Sequence, residues 1–407
     1  MKIKVGVIFG GESAEHEVSI ISAIQAMNKM NEEKYDIIPI YITKDRQWYT
    51  GEMLKDIDSY QDIDLIKKYA TNVVLIEKNG RFILQKKKGL FSKEVNELDI
   101  AFPIVHGTNV EDGVLQGYLQ SIGMPYVGPN SYAAAVGQDK VYMKAIFEKE
   151  ELPITKYVWF YDVEYRNDVD EVLKKVSKLK YPLIVKPATT GSSIGINFAE
   201  NEEKLKEAID DAINYDTKII VEEAVQNLKE VNISVLGNYE HQNLSVIEEV
   251  VGNNKFLTYE DKYIGGSKAK GKFGGIKSVP SAKGSKGMLS TSRKIPAELS
   301  DKLEKEVGEI AINAFKSLGS AGCVRIDFLI DDKKNKVYVN EINSIPGSLA
   351  FYLWEPKGKD YTELLDDMIN IGVKEYKRRC SKTYTFDTNI LQGFANNNLK
   401  GGKGKLR

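Results

Sequence analysis

The chain has 407 residues, 42% hydrophobic and 28% charged, long enough for two or three domains with sizeable cores. Its 57 Lys and Arg against 58 Asp and Glu leave a net charge of −1, so no global field draws it to nucleic acid or to an anionic membrane. Cys323 and Cys380 are too few for a disulfide framework and no apolar run reaches the length of a membrane span, so a soluble, cytoplasmic α/β protein is expected.

Residues 3–9, IKVGVIF, form a near-continuous apolar run, the pattern of a strand buried on both faces. Gly10-Gly11 cuts it short, which argues against a signal peptide, and Val18, Ile21, Ile24 and Met27 (or Ile20) then recur at helical spacing. This strand–turn–helix gathers Glu12, Ser13, Glu15, His16 and Ser19 around a helix N-terminus. Free N–H groups there can receive an anion, Glu15 can receive an ammonium group, or these residues merely cap the helix. Residues 35–42 read as the second strand of a β-α-β unit. From 45 to 98 the chain is polar, with strands expected at 73–76 and 82–84. A further strand at 99–105 ends in His106-Gly107, at the carboxyl edge where open α/β sheets bind ligands. A lone histidine there is more commonly a structural hydrogen-bonder. Glu111-Asp112-Gly113 leads into a helix carrying Leu115, Leu119 and Ile122. One helix is expected over 131–150, including Asp139-Lys140, with a boundary at Pro153.

Residues 181–198 read YPLIVKPATTGSSIGINF. A strand at 183–186 runs into a small-residue loop at 188–195 and then a second strand. Gly191 and Gly195 permit close backbone approach, and Ser192 and Ser193 add hydroxyl donors. A strand lysine, Lys186, before such a loop suits a triphosphate. No Walker A sequence is present, and a plain hairpin turn accounts for the pattern equally well. A helical stripe follows at Leu205, Ala208, Ile209, Ala212 and Ile213. The strand at 218–221 ends in Glu222-Glu223, and Glu230 opens the next at 231–236.

Residues 264–294 contain no Asp or Glu, yet hold Lys268, Lys270, Lys272, Lys277, Lys283, Lys286, Arg293 and Lys294 among glycines. So long a basic segment is either a solvated loop or a lid that closes over polyphosphate. A long amphipathic helix then carries Leu299, Leu303, Val307, Ile310, Ala314, Phe315 and Leu318. It feeds a hairpin with strands at 324–330 and 337–342. Alternation points Arg325, Asp327 and Leu329 to one face and Val324, Ile326, Phe328 and Ile330 to the other. Val339, Glu341 and Asn343 are expected to share a face of the second strand. If the two polar faces coincide, their oxygen donors suit Mg²⁺ on a nucleotide. By spacing alone, a surface hairpin facing water fits better. A last helix is expected at 361–377, followed by a polar, disordered tail at 381–407.

In order, GGESAEHEVS, HGTNVEDGVLQG, QDK, VKPATTGSSIG, VEEAV, YEDKY, RIDF and NEINSIPG resemble the D-alanine–D-alanine ligase family of the ATP-grasp superfamily, from Lys4 to about Lys377. The resemblance implies a three-domain ATP-grasp α/β fold. Its parts would be an N-terminal β-α-β substrate-binding domain at 1–130, a central subdomain at 131–226 and a C-terminal subdomain at 227–380 with lid 264–294. ATP would be held by Lys140, Lys186 and Lys262 at the phosphates. Glu222, Glu223, Ala224 and Val225 would meet the adenine, Glu230 the ribose, and Ser193 would add a nucleotide contact. Asp327, Glu341 and Asn343 match ligands of two Mg²⁺ ions, for which Mn²⁺ can substitute. Glu15 matches the residue that receives the first substrate's ammonium group, in a hydrogen-bonded set with Ser192 and Tyr263. His106 matches a residue of that pocket, and Arg325 and the Gly347 N–H match an oxyanion-stabilising pair.

The activity implied is ATP-dependent synthesis of D-alanyl-D-alanine for peptidoglycan precursors, through an acyl phosphate, by a homodimer. The chain departs from the family after NSIPG. It reads SLAFYLWEP, with Tyr352 where the family's serine holds the second substrate's carboxylate, a role left to Ser348 or the Tyr352 hydroxyl. The second substrate therefore stays open among D-alanine, D-serine, D-lactate and other amino acids. A kinase that stops at the phosphorylated carboxylate and a non-catalytic nucleotide binder are the readings from other classes. The arginine within the Arg325, Asp327, Glu341 and Asn343 set argues against a pure binder.

Overall fold

The apolar runs become strands of three sheets in the computed structural model, which describes residues 2–87, 93–251 and 292–388. The first sheet contains β1 (Ile3–Gly10), β2 (Tyr35–Ile42), β3 (Trp48–Thr50), β4 (Thr71–Lys78), β5 (Arg81–Lys86), β6 (Glu94–Leu98) and β7 (Ile100–Pro103), in the order β6-β5-β4-β3-β2-β1-β7. β1 runs parallel to both β2 and β7, and α1 (His16–Met27) makes the crossover of the expected β-α-β unit. β3 and β6 were not expected: both are short and lack an apolar run of their own. Val7, Ile8 and Phe9 of β1 are fully buried, as the run at 3–9 requires. They share a core with Leu364, Leu365, Met368 and Ile369, so the C-terminal part of the chain closes over the first sheet. Each such side chain contributes about 1.5–3 kcal/mol on burial.

α2 (Ile63–Tyr69) and α3 (Val114–Ser121) precede the stretch expected as one helix over 131–150, which is instead two, α4 (Ser131–Gln138) and α5 (Lys140–Lys149). The break has a definite cause. Asp139 is extended (φ −88°, ψ 104°), and its carboxylate accepts from the Val141 and Tyr142 N–H groups at 2.9 and 3.1 Å. An N-cap of this kind contributes about 1 kcal/mol and starts a new helix. It puts Lys140 in the first turn of α5, with its own N–H on the Ala188 carbonyl at 3.0 Å.

The second sheet, β10-β9-β11-β8, is antiparallel and built from β8 (Tyr157–Tyr161), β9 (Leu183–Pro187), β10 (Asn197–Ala199) and β11 (Lys218–Glu223). α6 (Asp162–Asn167), α7 (Val169–Val176) and α8 (Glu202–Ala212) accompany it, and Val172, Leu205 and Ile209 pack on Val185 and Val221.

The third sheet, β14-β13-β12-β15-β16, is also antiparallel. Its strands are β12 (Leu228–Gly237), β13 (Gln242–Val251), β14 (Ser292–Lys294), β15 (Gly322–Asp331) and β16 (Lys336–Asn343). α9 (Asp301–Ser317) lays the expected stripe, Leu303, Val307, Ile310, Ala314 and Phe315, against it. α10 (Tyr361–Cys380) follows.

One expectation for the hairpin fails. Asp327 pairs with Glu341 but Phe328 pairs with Val339, so Asn340 is an extra residue in β16. A bulge shifts the alternation by one. Val339 is therefore fully buried in the core rather than beside Glu341, and Asn340 joins Glu341 on the open face. Residues 264–291 of the expected lid and 389–407 of the expected tail lie outside the described residues. No helix among the described residues is long and apolar enough to cross a membrane.

Candidate active site

A cavity opens between the three sheets. Its floor is the third sheet, where Arg325 and Asp327 alternate with buried Val324, Ile326 and Phe328. Asp327 pairs with Glu341 on one side and with Asn232 on the other, and Asn232 pairs with Glu248. Directly opposed residues share a face. Glu341, Asp327, Asn232 and Glu248 thus form a polar row across four strands, all lining the cavity. Arg325 grips Asp327 with Nε and Nη2, each at 2.7 Å, and Asn343 Nδ2 donates to Asp327 at 3.2 Å. Burial alone would lower the Arg325 pKa; the Asp327 charge outweighs it and keeps the guanidinium protonated.

A magnesium ion on this face would meet oxygen donors. Asp327, Glu341 and Asn343 line the cavity together, and no group of three or more His, Cys, Asp or Glu that could hold a metal gathers among the described residues. Two carboxylates and an amide oxygen are the hard, oxygen-only donors that Mg²⁺ and Mn²⁺ prefer. A half-turn of the Asn343 amide would present its oxygen. The set fits.

Two lysines face this row. Lys140 Nζ donates to the Thr190 carbonyl at 2.8 Å and lies 3.7 Å from Glu341 Oε2. Lys186 Nζ reaches Glu222 Oε2 at 3.3 Å and Asn340 Oδ1 at 3.2 Å. Glu222 is 2% exposed, and burial would push its pKa up. The charges of Lys144 and Lys186, with a hydrogen bond from Thr155, bring it down to about 2 instead. Lys144 is itself buried, which lowers its pKa against the pull of Glu222. Glu222 Oε1 accepts no hydrogen bond among the described residues, although the carboxylate lines the cavity. That orphaned acceptor, beside Glu223, Ala224 and Val225 on the cavity wall, fits an amino-bearing ring. Ser193 and Glu230 line the same cavity. The Glu223 side chain instead accepts from the Lys180 N–H at 3.1 Å.

The loop after β9 reaches the first helix. Ser192 and Ser193 both adopt left-handed backbone (φ 54° and 61°), and the Ser192 hydroxyl donates to Glu15 Oε1. Non-glycine residues held there cost energy and gather at functional sites. A Cβ on Gly191 would stand 2.5 Å from Glu15 Oε2, so a side chain there would displace the Glu15 carboxylate. Among the five polar residues expected around the α1 start, Glu15 lines the cavity and makes no side-chain cap bond. The other four bond elsewhere in the chain. Glu12 pairs with Arg46, and Ser13 donates to the His106 carbonyl at 2.7 Å. His16 bonds Gly11 and Tyr41, and Ser19 links Gly10 to Ile104.

His106 is buried, and burial lowers its pKa to about 4 despite a hydrogen bond to Ile345. The neutral ring therefore donates from Nδ1 to the Ile345 carbonyl (2.8 Å) and accepts at Nε2 from Ser22 (2.9 Å). Beside it, Glu111 accepts from the Gly107 N–H (2.9 Å), the Ser344 hydroxyl (3.0 Å) and the Ile345 N–H (2.9 Å). Burial and the neighbouring Glu15 nonetheless raise its pKa to about 7. These two side chains tie the end of β7 to the loop after β16.

That loop continues into a tight turn, Gly347–Leu353, in which Ser348, Leu349 and Ala350 are all left-handed (φ 52°, 53° and 50°). Ser348 gives its N–H to Ser22 at 2.9 Å, and Gly347 lines the cavity. Tyr352 donates to Glu248 Oε1 at 3.3 Å, and Asn232 donates to the same oxygen at 2.9 Å. The Arg293 guanidinium lies 4.9 Å over the Tyr352 ring and 3.6 Å from Glu248 Oε2. Burial and Glu248 raise the Tyr352 pKa to about 12, so the phenol keeps its proton.

The structure thus brings together Glu15, His106, Lys140, Lys186, Ser192, Ser193, Glu222 to Val225, Glu230, Arg325, Asp327, Glu341, Asn343 and Gly347 around one cavity. Tyr352 meets it through Glu248 and Arg293, while Lys262 and Tyr263 lie outside the described residues. Sequence reasoning did not single out Glu111, Lys144, Asn232, Glu248 or Asn340, and it counted Arg293 only as one more charge in a basic segment. Two carboxylates inside a strand otherwise rich in valine, at Glu248-Glu249, were the available signal for β13.

Two family models match the chain: the D-ala D-ala ligase N-terminus over residues 4–129, and the D-ala D-ala ligase C-terminus over 146–278 and 281–370. A D-alanine–D-alanine ligase of Thermosipho melanesiensis is 37% identical over 393 residues, covering 96% of this chain and 98% of that protein. Among solved structures, the D-alanine–D-alanine ligase of Coxiella burnetii superposes with a TM-score of 0.76 at 25% identity, covering 97% of this chain and 98% of its own. The VanG D-Ala:D-Ser ligase of Enterococcus faecalis does so at 0.72 and 28%, covering 91% of this chain and all of its own.

Proposed function

The chain belongs to the D-alanine–D-alanine ligase family, and from that premise we propose that it uses ATP to join two D-alanines into D-alanyl-D-alanine for peptidoglycan precursor synthesis. The observation that carries the reading is the Arg325–Asp327–Glu341 face opposite Lys140 and Lys186, with Glu15 and Ser192 closing the third side. In this reaction the first D-alanine's carboxylate attacks the γ-phosphorus of ATP, and ADP leaves behind an acyl phosphate. The second D-alanine's amine then attacks the acyl carbon, loses a proton and expels phosphate.

The chain's own groups supply position and charge, and no protein nucleophile is required. Lys140 and Lys186 hold the phosphates. The Glu222 carboxylate and the backbone of Glu223, Ala224 and Val225 receive the adenine, Glu230 the ribose, and Ser193 a further part of the nucleotide. Glu15, oriented by Ser192, takes the first ammonium group in a pocket shaped by neutral His106. Arg325 and the Gly347 N–H face the oxyanion of the tetrahedral intermediate. Asp327, Glu341 and Asn343 would hold two magnesium ions, which supply positive charge against the transferred phosphoryl group. A cytoplasmic homodimer completes the proposal.

The test is ADP release from ATP with D-alanine alone and with D-serine or D-lactate added, the products being weighed by mass spectrometry. D-alanyl-D-alanine matched to ADP is expected. No turnover with any partner, in a preparation that binds ATP, would refute the ligase reading.

A further inference from the structure

We propose that Lys218 is a positioning residue for nucleotide phosphate: through Asp139 it fixes the start of α5, and so the ammonium group of Lys140. This rests on the ligase reading above, in which Lys140 holds phosphate. Lys140 directly follows the N-cap, so whatever fixes the Asp139 carboxylate fixes the turn that carries the lysine. One oxygen of that carboxylate, Oδ1, is taken by the Val141 and Tyr142 N–H groups. The other, Oδ2, accepts from Lys218 Nζ at 2.5 Å. Both residues of the pair are buried. Burial would lower the Lys218 pKa; Asp139 outweighs it, so the ammonium group stays charged. Neither side chain lines the cavity, so an effect on substrate has to run through Lys140.

Three aromatic rings hold the Lys218 side chain in this place. Its Nζ lies 3.8 Å from the centre of the Tyr142 ring, 5.8 Å from Trp159 and 5.9 Å from Tyr161. β11 pairs Lys218 with Tyr161 and Ile220 with Trp159, so both β8 rings share the lysine's face. Tyr142 belongs to α5 itself and brings the helix against the same cation. All three rings are exposed, and an ammonium group at their faces is a favourable neighbour.

The backbone repeats the link by two further routes. The Lys218 carbonyl accepts from the Ala188 N–H at 2.9 Å, and the Ala188 carbonyl accepts from the Lys140 N–H at 3.0 Å. The Lys218 N–H donates to Asp216 Oδ1 at 3.1 Å, while Asp216 Oδ2 accepts the Thr189 N–H and hydroxyl at 2.7 and 2.9 Å. Thr189 precedes Thr190, whose carbonyl accepts from Lys140 Nζ. The start of β11 thus braces Lys140 at its backbone, at its helix cap and at its tip. Only the cap depends on the Lys218 side chain, so its removal should loosen Lys140 and leave the fold in place.

The test reads nucleotide binding directly and needs no turnover. Calorimetry gives the dissociation constant of ATP with Mg²⁺, and displacement of ATP gives that of adenosine, which has no phosphate. Lys218→Met should weaken ATP by about 10-fold, the lower end of what one charge-assisted hydrogen bond is worth, and leave adenosine unchanged. A pair that only stabilised the domain would weaken both alike or neither. In protein already carrying Lys140→Met, the same substitution should cost nothing further. Should Lys218→Met fail to fold because Asp139 is left buried without its partner, Asp139→Asn with Lys218→Met removes both charges and keeps an N-cap residue. The same 10-fold, confined to ATP, is expected of that pair of substitutions. Unchanged ATP affinity in the variant that folds, adenosine weakened in step with ATP, or a further loss on top of Lys140→Met would each overturn the assignment. Wild type that does not bind ATP would sink the ligase reading itself, and this inference with it.

Discussion

Glu111→Gln separates two opposing effects in the wall of the cavity. Glu111 is buried, accepts three hydrogen bonds, and has its pKa raised from 4.5 to about 7, by burial first and by Glu15 second. A carboxyl whose folded pKa lies above its unfolded value stabilises the fold most below pH 4.5 and loses that contribution as pH rises through 7. The distance from 4.5 to 7 amounts to about 3 kcal/mol. A glutamine has no such cost at any pH. It does bring an NH₂ where one of the carboxylate oxygens was. If its oxygen keeps Ser344 and Ile345, the Gly107 N–H is left without an acceptor, a loss of about 1–3 kcal/mol. At pH 5 the variant should thus be less stable than wild type by about 1–3 kcal/mol, and by pH 8 the difference should close or reverse. Urea unfolding of both proteins at pH 5, 6, 7 and 8 measures this. A stability gap that stays constant across that range would refute the account of Glu111 as a raised, buried acid.

The remaining predictions concern the charges around the cavity. Glu341→Gln, with its fold intact by circular dichroism, should lower turnover by more than about 100-fold, the worth of one electrostatic stabiliser. ADP release near the wild-type rate would remove Glu341 from the metal set. Glu222→Gln leaves Lys144 and Lys186 without their shared counter-charge, so it should destabilise the fold by about 3–5 kcal/mol and weaken ATP binding. Unchanged unfolding and unchanged ATP affinity together would show that the buried lysines do not depend on it.

Local pattern was enough to read the strand–turn–helix at the start, the strand at 35–42, the stripe on α9 and the polar face of β15, because each depends on one period in one segment. Alternation also put Arg325 and Asp327 on one face of β15, but by spacing alone that face read as a surface facing water, and only the order of the motif blocks pointed it and Glu341 toward a site. The break at Asp139 was not. Helical spacing continues through it, and only an aspartate turned back onto the next two N–H groups ends one helix and starts another. Nor was the bulge at Asn340, which depends on how β15 and β16 pair and which exchanges Val339 for Asn340 on the open face.

The composition, the order of the motif blocks and the alternation along β15 were settled by the chain alone, since they need no partner. Tertiary structure decided which polar groups meet. Glu248 and Arg293 sit on strands with little pattern of their own, 45 residues apart by number. They face Tyr352 only because β13 and β14 pair beside β12 and a left-handed turn carries the ring over them. A contact between segments so far apart in sequence leaves no trace in the periodicity of either, so it has to be seen in the fold.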